Sequence, residues 1–407
     1  MLVLISILKK LFRKIFKIPL YISAIFPVIF IRLIKPWLLV RIGLLNSSRI
    51  GHFAANPELY LCELNAGINV PNQRYIDIFF IEYGTLCNQQ LLIMWQRKLR
   101  IWPNWIMAYI MRINRLLPGA QGHEIFFLSW GRDIHNLYDK FPAHLSFTTE
   151  ELARGDKGML AMGLSRDKPF ICLIARDNAY LSDPFYDYHN YRDSNINNFV
   201  LAAEALAELG FYVIRMGAKV NASLNSAHPK VIDYANNGMR SDFMDIFLGA
   251  NCHFAISTGT GWDAIPEIFR RPIVYVNFVP VGYLCSFRNK TLSIVKHHID
   301  IKSACEINFR EIFLRGVGFC MRTSDYESKD VELVENTPEE IRDVAIEMVK
   351  RLAGTWEPHQ DDEYLQKLFW NRFRNFAVDT SLFKPLHGEI HARFGAKFLI
   401  NNKEWLH

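Results

Sequence analysis

The stretch from Cys252 to Phe278, CHFAISTGTGWDAIPEIFRRPIVYVNF, constrains this chain more than any other. It reads as a strand (His253 to Ser257), a glycine-rich turn (Thr258 to Gly261), a short helix (Trp262 to Phe269) and a second strand (Pro272 to Asn277). A helix between two strands returns the second parallel to the first, so the segment is a βαβ unit and commits its domain to a parallel sheet. Such sheets take ligands at the carboxyl ends of their strands, where a turn opens into a helix N-terminus that favours an anion. Gly259 and Gly261 let the backbone approach a phosphate, and the hydroxyls of Ser257, Thr258 and Thr260 are placed to donate to it. The plainer alternative is that the glycines only shape a tight crossover.

The rest of the chain repeats the alternation. Leu38 to Ile42 and Tyr75 to Glu82 read as strands, Phe53 to Asn65, Asn88 to Leu99 and Trp105 to Leu117 as helices, and Glu124 to Ser129 as a further strand. Thr148 and Glu151 form a capping box for a helix closing near Gly163. Phe170 to Ala175 and Phe211 to Met216 are strands flanking a helix that ends at Gly210; Val231 to Tyr234 is a short strand, and Phe243 to Ala250 a helix. Thr337, Pro338 and Glu340 open a helix that Gly354 stops, and Asp361 to Phe376 is helical. Between Tyr283 and Val334 the pattern is weak. The expectation is an α/β protein with two Rossmann-like domains facing across a cleft. The expected boundaries are 1–35 for an N-terminal basic amphipathic membrane-associated segment, 36–147 for the first Rossmann-like domain, 148–355 for the second, and 356–407 for a helical segment packing back across the domains.

At 407 residues the chain has room for two cores. Its seven cysteines include no CxxC pair, which argues against a zinc ribbon and for a reducing compartment. The net charge of +6 is unevenly spread: residues 1–57 hold nine Lys or Arg and no acid, leaving 38 bases against 41 acids beyond them. Nucleic acid is therefore a poor partner for the body of the chain. In LISILKKLFRKIFK, Lys9, Lys10, Arg13, Lys14 and Lys17 recur at helical spacing. The uncharged run Ile18 to Ile31 is broken by Pro19 and Pro27 and is shorter than the ~20 residues that span a bilayer. The segment is expected to lie on a membrane surface.

Three strand ends converge on one edge of the second domain: Arg176-Asp177-Asn178, Arg215-Met216-Gly217, and Ser257 to Gly261. Arg176 and Arg215 suit a bidentate pyrophosphate clamp, unless each pairs with a nearby acid instead. With RDNAYL at 176 to 181, YRDSNINNF at 191 to 199, ELGFYVIRMG at 208 to 217, DYANNGMRSDFMDIFL at 233 to 248, ISTGTGWDAIPEIF at 256 to 269 and RIGHFAANPELYL at 49 to 61, the chain resembles a family of bacterial glycosyltransferases of the GT-B fold. The resemblance covers most of residues 40 to 280. It implies a nucleotide-sugar donor on the second domain, a glycan or lipid-linked acceptor on the first, and surface polysaccharide assembly at the cytoplasmic face of the bacterial inner membrane.

The sequence contains no Asp-x-Asp triplet of the kind that holds a divalent ion, which favours a metal-free donor site and no cofactor. Asp263 and Glu267, one turn apart, are placed to accept from ribose or sugar hydroxyls, or else to pair with Arg270 and Arg271. An inverting transfer needs a general base from the acceptor side; His52, after the first strand, is the first choice, with Asp133 and His135 as substitutes. A sugar-nucleotide 2-epimerase, a pyruvyl transferase, and a non-catalytic membrane scaffold that binds nucleotide or glycan remain open alternatives.

Overall fold

The computed structural model describes residues 18–84, 86–127, 131–164, 167–180, 184–378 and 385–406. The chain divides into two compact units, Met1–Trp130 and Gly131–His407.

In the first unit, β1 (Leu39–Leu45), β2 (Tyr75–Ile81) and β3 (Glu124–Ile125) form a parallel sheet in the order β2-β1-β3. Its register is pinned by a buried ion pair. Arg41 and Asp77 are directly opposed on β1 and β2, their side chains meet in two 2.7 Å hydrogen bonds, and Tyr60 donates to the same carboxylate. A slip of one residue would strand both charges in the core. The uncharged run expected on a membrane is the helix Ile18–Leu33, with Pro27 inside it. Ala24, Val28 and Ile31 bury one side of it in a core with Val40, Ile42, Ile78, Phe80, Met107 and Ile110. The basic stretch from Lys9 to Lys17 lies outside the described residues.

The second unit is built on a seven-stranded, wholly parallel sheet: β4 (Phe170–Ile174), β5 (Tyr212–Arg215), β6 (Val231–Ile232), β7 (Ala255–Ser257), β8 (Ile273–Phe278), β9 (Thr291–Val295) and β13 (Arg393–Phe394). The order is β13-β9-β8-β7-β4-β5-β6. Strands β4, β7, β8 and β9 are buried along their whole length, and the first three accordingly read as apolar runs in the sequence. Both expected capping boxes form, at Thr148 and Thr337, and Gly354 ends its helix at φ 70°.

Three expectations about organisation are corrected. Residues 131–147, assigned above to the first domain, group with the second unit: Arg132 donates to the carbonyls of Leu386, Tyr283 and Leu284, and Asn136 to those of Phe287 and Glu389. The weak stretch from Tyr283 to Val334 holds β9 and a small antiparallel sheet of β10 (His297–Asp300), β11 (Cys305–Glu306) and β12 (Val331–Val334), ordered β11-β10-β12. Residues after 356 are not a separate helical appendage. They supply β13, and Gln366, on the helix Asp362–Phe373, pairs both backbone groups of Phe394 at 2.6 and 3.0 Å, as a neighbouring strand would.

Candidate functional site

Strand order in the second unit reverses beside β4. The chain runs from β4 outward through β5 and β6, then returns to the other side of β4 as β7. The crevice outside the carboxyl ends of β4 and β7 is thus the topological switch point, the position where open parallel sheets bind ligands. Arg176 follows β4 and Thr258 follows β7, and the Arg176 backbone N–H donates to Thr258 Oγ1 at 2.9 Å. The glycine-rich turn therefore stands where the sequence placed it.

The turn is stapled from within. Ser257 Oγ donates to Asp263 Oδ2 at 2.9 Å and accepts from the N–H groups of Gly259 (3.1 Å) and Thr260 (3.4 Å), while the Thr258 N–H reaches the Ile174 carbonyl at 3.3 Å. The expected ring of open backbone donors is already occupied at these three positions. The following helix is Ala264–Ile268, five residues, too short to bring the dipole that the sequence reading assumed. Gly259 takes φ 76°, and a Cβ there would lie 3.0 Å from the Phe278 ring, so this glycine is required by conformation and by space. Gly261 is exposed.

Side chains supply what the backbone does not. Arg192 donates to the Gly259 carbonyl, yet its buried Nε has no hydrogen-bond partner, and neither has the buried Thr260 Oγ1. Arg176 pairs with Asp193 at 2.6 Å and donates to the His189 carbonyl at 3.3 Å. Lys296, just after β9, donates to the Asp193 carbonyl at 2.6 Å. Burial, then the neighbouring Arg192, lowers the Arg176 pKa; burial likewise lowers that of Lys296 and raises that of Asp193. Desolvation thus outweighs pairing on both sides of the Arg176–Asp193 bridge. Arg176 and Arg192 stand at the turn and Lys296 within electrostatic reach of Arg176, with Asp193 and Glu335 as the opposing charges.

Not every predicted residue joins this set. Arg215 is 1% exposed and turned to Asp233 (3.1 Å) and the Ala222 carbonyl (3.0 Å), so it is a structural arginine of the sheet edge and the pyrophosphate clamp loses one jaw. Gly217 packs tightly, a Cβ there falling 2.6 Å from Val220. Asn178 is exposed and accepts from Asn221, while Asp177 accepts from the Ala179 and Asn221 N–H groups. Arg192 and Lys296 were missed. Arg192 lay in YRDSNINNF, away from any strand end, and Lys296 lay in the stretch without pattern.

Asp263 and Glu267 are 8% and 7% exposed, and neither pairs with Arg270 or Arg271, whose guanidinium groups donate to carbonyls of Phe141, Ile268 and Pro142 and of Ala250. Burial pushes both carboxyls up to about 7, against the opposing pull of Ser257 and Arg192 on Asp263 and of Arg288 on Glu267. Asp263 is the internal acceptor of the turn, taking hydrogen bonds also from the Thr260 and Ala264 N–H groups.

A cavity of about 330 Å³ lined by Lys168, Phe170, Cys252, His253 and Arg271 opens at the amino ends of β4, β7 and β8. That is the wrong end of the sheet for a ligand of this fold, and no predicted site residue lines it.

No family model and no curated protein matches the chain. Among solved structures it is similar to the E. coli ADP-heptose LPS heptosyltransferase II (13% identity, TM-score 0.36, 63% of this chain and 90% of that one). It is also similar to a glycosyl transferase family 9 protein of Veillonella parvula (12%, 0.36, 58% and 80%) and to an E. coli heptosyltransferase solved with ADP-2-deoxy-2-fluoro heptose (11%, 0.33, 63% and 93%). At these scores the likeness carries no argument about chemistry, which rests on the residues.

In the first unit the order β2-β1-β3 puts the switch point at the carboxyl end of β1. His52 stands there, in the first turn of the helix Ile50–Asn65. Burial, then Arg49, lowers its pKa, so the imidazole is neutral at pH 7, while the carboxylate of Glu82, at the end of β2, pulls the other way. Glu82 accepts from the Ser48 N–H at 3.0 Å and was not foreseen as part of this site. The two substitutes are corrected. Asp133 belongs to the second unit, and its oxygens are taken by the N–H groups of Leu137 and Tyr138, both at 2.7 Å. His135, in the same unit, is exposed.

Proposed function

We propose that the chain is a glycosyltransferase whose second unit holds a nucleoside-diphosphate sugar at the carboxyl ends of β4 and β7. One observation carries the reading: at the switch point Arg176 and Arg192 bond to a glycine turn on which Arg192 Nε and Thr260 Oγ1 are left without partners, with Lys296 within electrostatic reach of Arg176. A diphosphate supplies the missing acceptors and neutralises the cations. In the transfer, bond cleavage leaves an extra negative charge on the departing nucleotide, and fixed guanidinium and ammonium groups stabilise it without reorganising. In this reading these cations take the place of a divalent ion.

The acceptor, a glycan or lipid-linked sugar, is assigned to the first unit, where neutral His52 takes the hydroxyl proton as the oxygen attacks the anomeric carbon. The resemblance of the sequence to bacterial glycosyltransferases supports surface polysaccharide synthesis as the setting. Calorimetry with a panel of UDP, GDP, ADP and CMP sugars tests the donor site. Binding of one of them that persists in EDTA is expected; no binding by any refutes the reading.

A further inference from the structure

The helix Ile18–Leu33 has two faces of different character. Ala24 and Val28 are fully buried, whereas Ile22, Phe26, Phe30 and Leu33 are exposed, Phe26 at 73% and Leu33 at 67%. The helix Asn104–Arg115 lies beside it: the rings of Tyr21 and Tyr109 meet edge to face at 4.8 Å, and Arg32 donates to Asn114 Oδ1 at 2.9 Å and to the Pro118 carbonyl at 2.6 Å. That second helix exposes Trp105 in its first turn, and Trp37, 74% exposed, follows the first helix. Clustered large apolar side chains on a surface mark something that covers them.

Charge says what. Residues 1–57 and 83–123, the stretches of sequence that supply these side chains, contain fourteen Lys or Arg and no Asp or Glu; Arg41 and Arg115 pair with Asp77 and Glu124, and the five bases from Lys9 to Lys17 lie outside the described residues. Over the whole first unit the count is fifteen bases to five acids, a net +10, against 32 to 36, a net −4, in the second. A second copy of so basic a unit would be repelled, and an apolar protein groove needs no such excess. An anionic bilayer satisfies both: Trp settles at headgroup level, Phe enters the acyl boundary, and the bases are drawn to the anionic headgroups. Among the described residues no helix is long and apolar enough to cross a membrane, and the inner face of Ile18–Leu33 is committed to the protein.

We propose that the outer face of Ile18–Leu33, with Trp37 and Trp105, docks the first unit flat on an anionic membrane. This goes beyond the donor site and stands without it. Deleting residues 1–35 is a poor test, because Ala24, Val28 and Ile31 belong to the core. The informative variants are the double substitutions Phe26→Ser/Phe30→Ser and Phe26→Glu/Phe30→Glu in the full chain, at exposed positions where the thermal midpoint should not move.

Flotation with vesicles of equal parts phosphatidylglycerol and phosphatidylcholine should carry the wild type, and vesicles of phosphatidylcholine alone should not. The serine pair should lose roughly tenfold in partitioning and the glutamate pair more. No flotation of the wild type overturns the proposal. So does unchanged flotation of both variants, which would assign binding to the bases at Lys9 to Lys17 alone. A dimer in sedimentation that the serine pair converts to monomer, or retention on an oligonucleotide in place of vesicles, would overturn it in favour of a second copy or of nucleic acid.

Discussion

Arg192 and Arg215 show how far residue identity determines role. Both are arginines of the same unit and each leaves a buried Nε without a partner, but Arg215 is sealed in the sheet edge on Asp233 and the Ala222 carbonyl, while Arg192 is only half-buried and holds the Gly259 carbonyl of the turn. Arg215→Met should therefore cost stability, about 3 kcal/mol or more for stranding Asp233, read as a drop in the urea midpoint. Arg192→Gln should leave that midpoint near wild type and weaken nucleotide-sugar binding roughly tenfold to a hundredfold, the range for losing a charged hydrogen bond. His52→Ala should keep donor affinity while turnover falls by ~10²-fold or more, the scale of a lost general base. Asp263 and Glu267 give a pH signature. Carboxyls that ionise near 4 in the unfolded chain and near 7 in the fold contribute stability that is full below about pH 4 and is lost as pH rises through about 7. Glu267→Gln removes one such group, so its stability relative to wild type should rise by roughly 1–3 kcal/mol between about pH 5 and pH 8; a flat difference across that window would show that burial does not hold the proton on Glu267. The sequence showed the convergence of Arg176 and the Ser257 to Gly261 turn because both follow strands. It could not show which of two arginines is sealed, since that depends on Asp233 being folded back beneath one of them.

At the scale of elements, buried parallel strands and capped helices were legible because each carries its own local signal: a run of apolar residues for β4 and β8, a Thr and Glu three apart for the helices Thr149–Ala161 and Pro338–Ala353. The elements missed, β9 to β13, are two to five residues long and draw their stability from pairing with distant segments, so little that is local announces them. The turn lies between these cases. Its glycines were visible, but the Ser257–Asp263 staple that fills its donors was not, although it joins residues only six apart. Gly259→Ala tests the turn as a unit. Positive φ and the Phe278 ring both oppose a side chain, so donor binding should fall sharply while the thermal midpoint drops by no more than about 1–2 kcal/mol of stability would produce. Binding equal to wild type would remove the turn from the site.

At the scale of the whole molecule, two parallel α/β units were expected and found, with the division at Trp130 and Gly131 rather than near residue 147. The misplacement has a physical cause: residues 131–147 carry no strand or helix, and only long-range bonds such as Arg132 to Leu386 and Asn136 to Glu389 assign them to the second unit. Charge follows the same division, basic in the first unit and slightly acidic in the second. The anion site proposed above is thus a local concentration of cations in an otherwise acidic unit, so its affinity should come from fixed geometry rather than from a diffuse basic field. Isothermal calorimetry of the full chain with UDP, GDP, ADP and CMP sugars, in EDTA and with Arg192→Gln alongside the wild type, puts that claim to its most direct test. The account predicts that at least one nucleotide sugar binds without a divalent ion and that Arg192→Gln weakens it roughly tenfold or more; silence from the whole panel, or equal affinity in the variant, would contradict it.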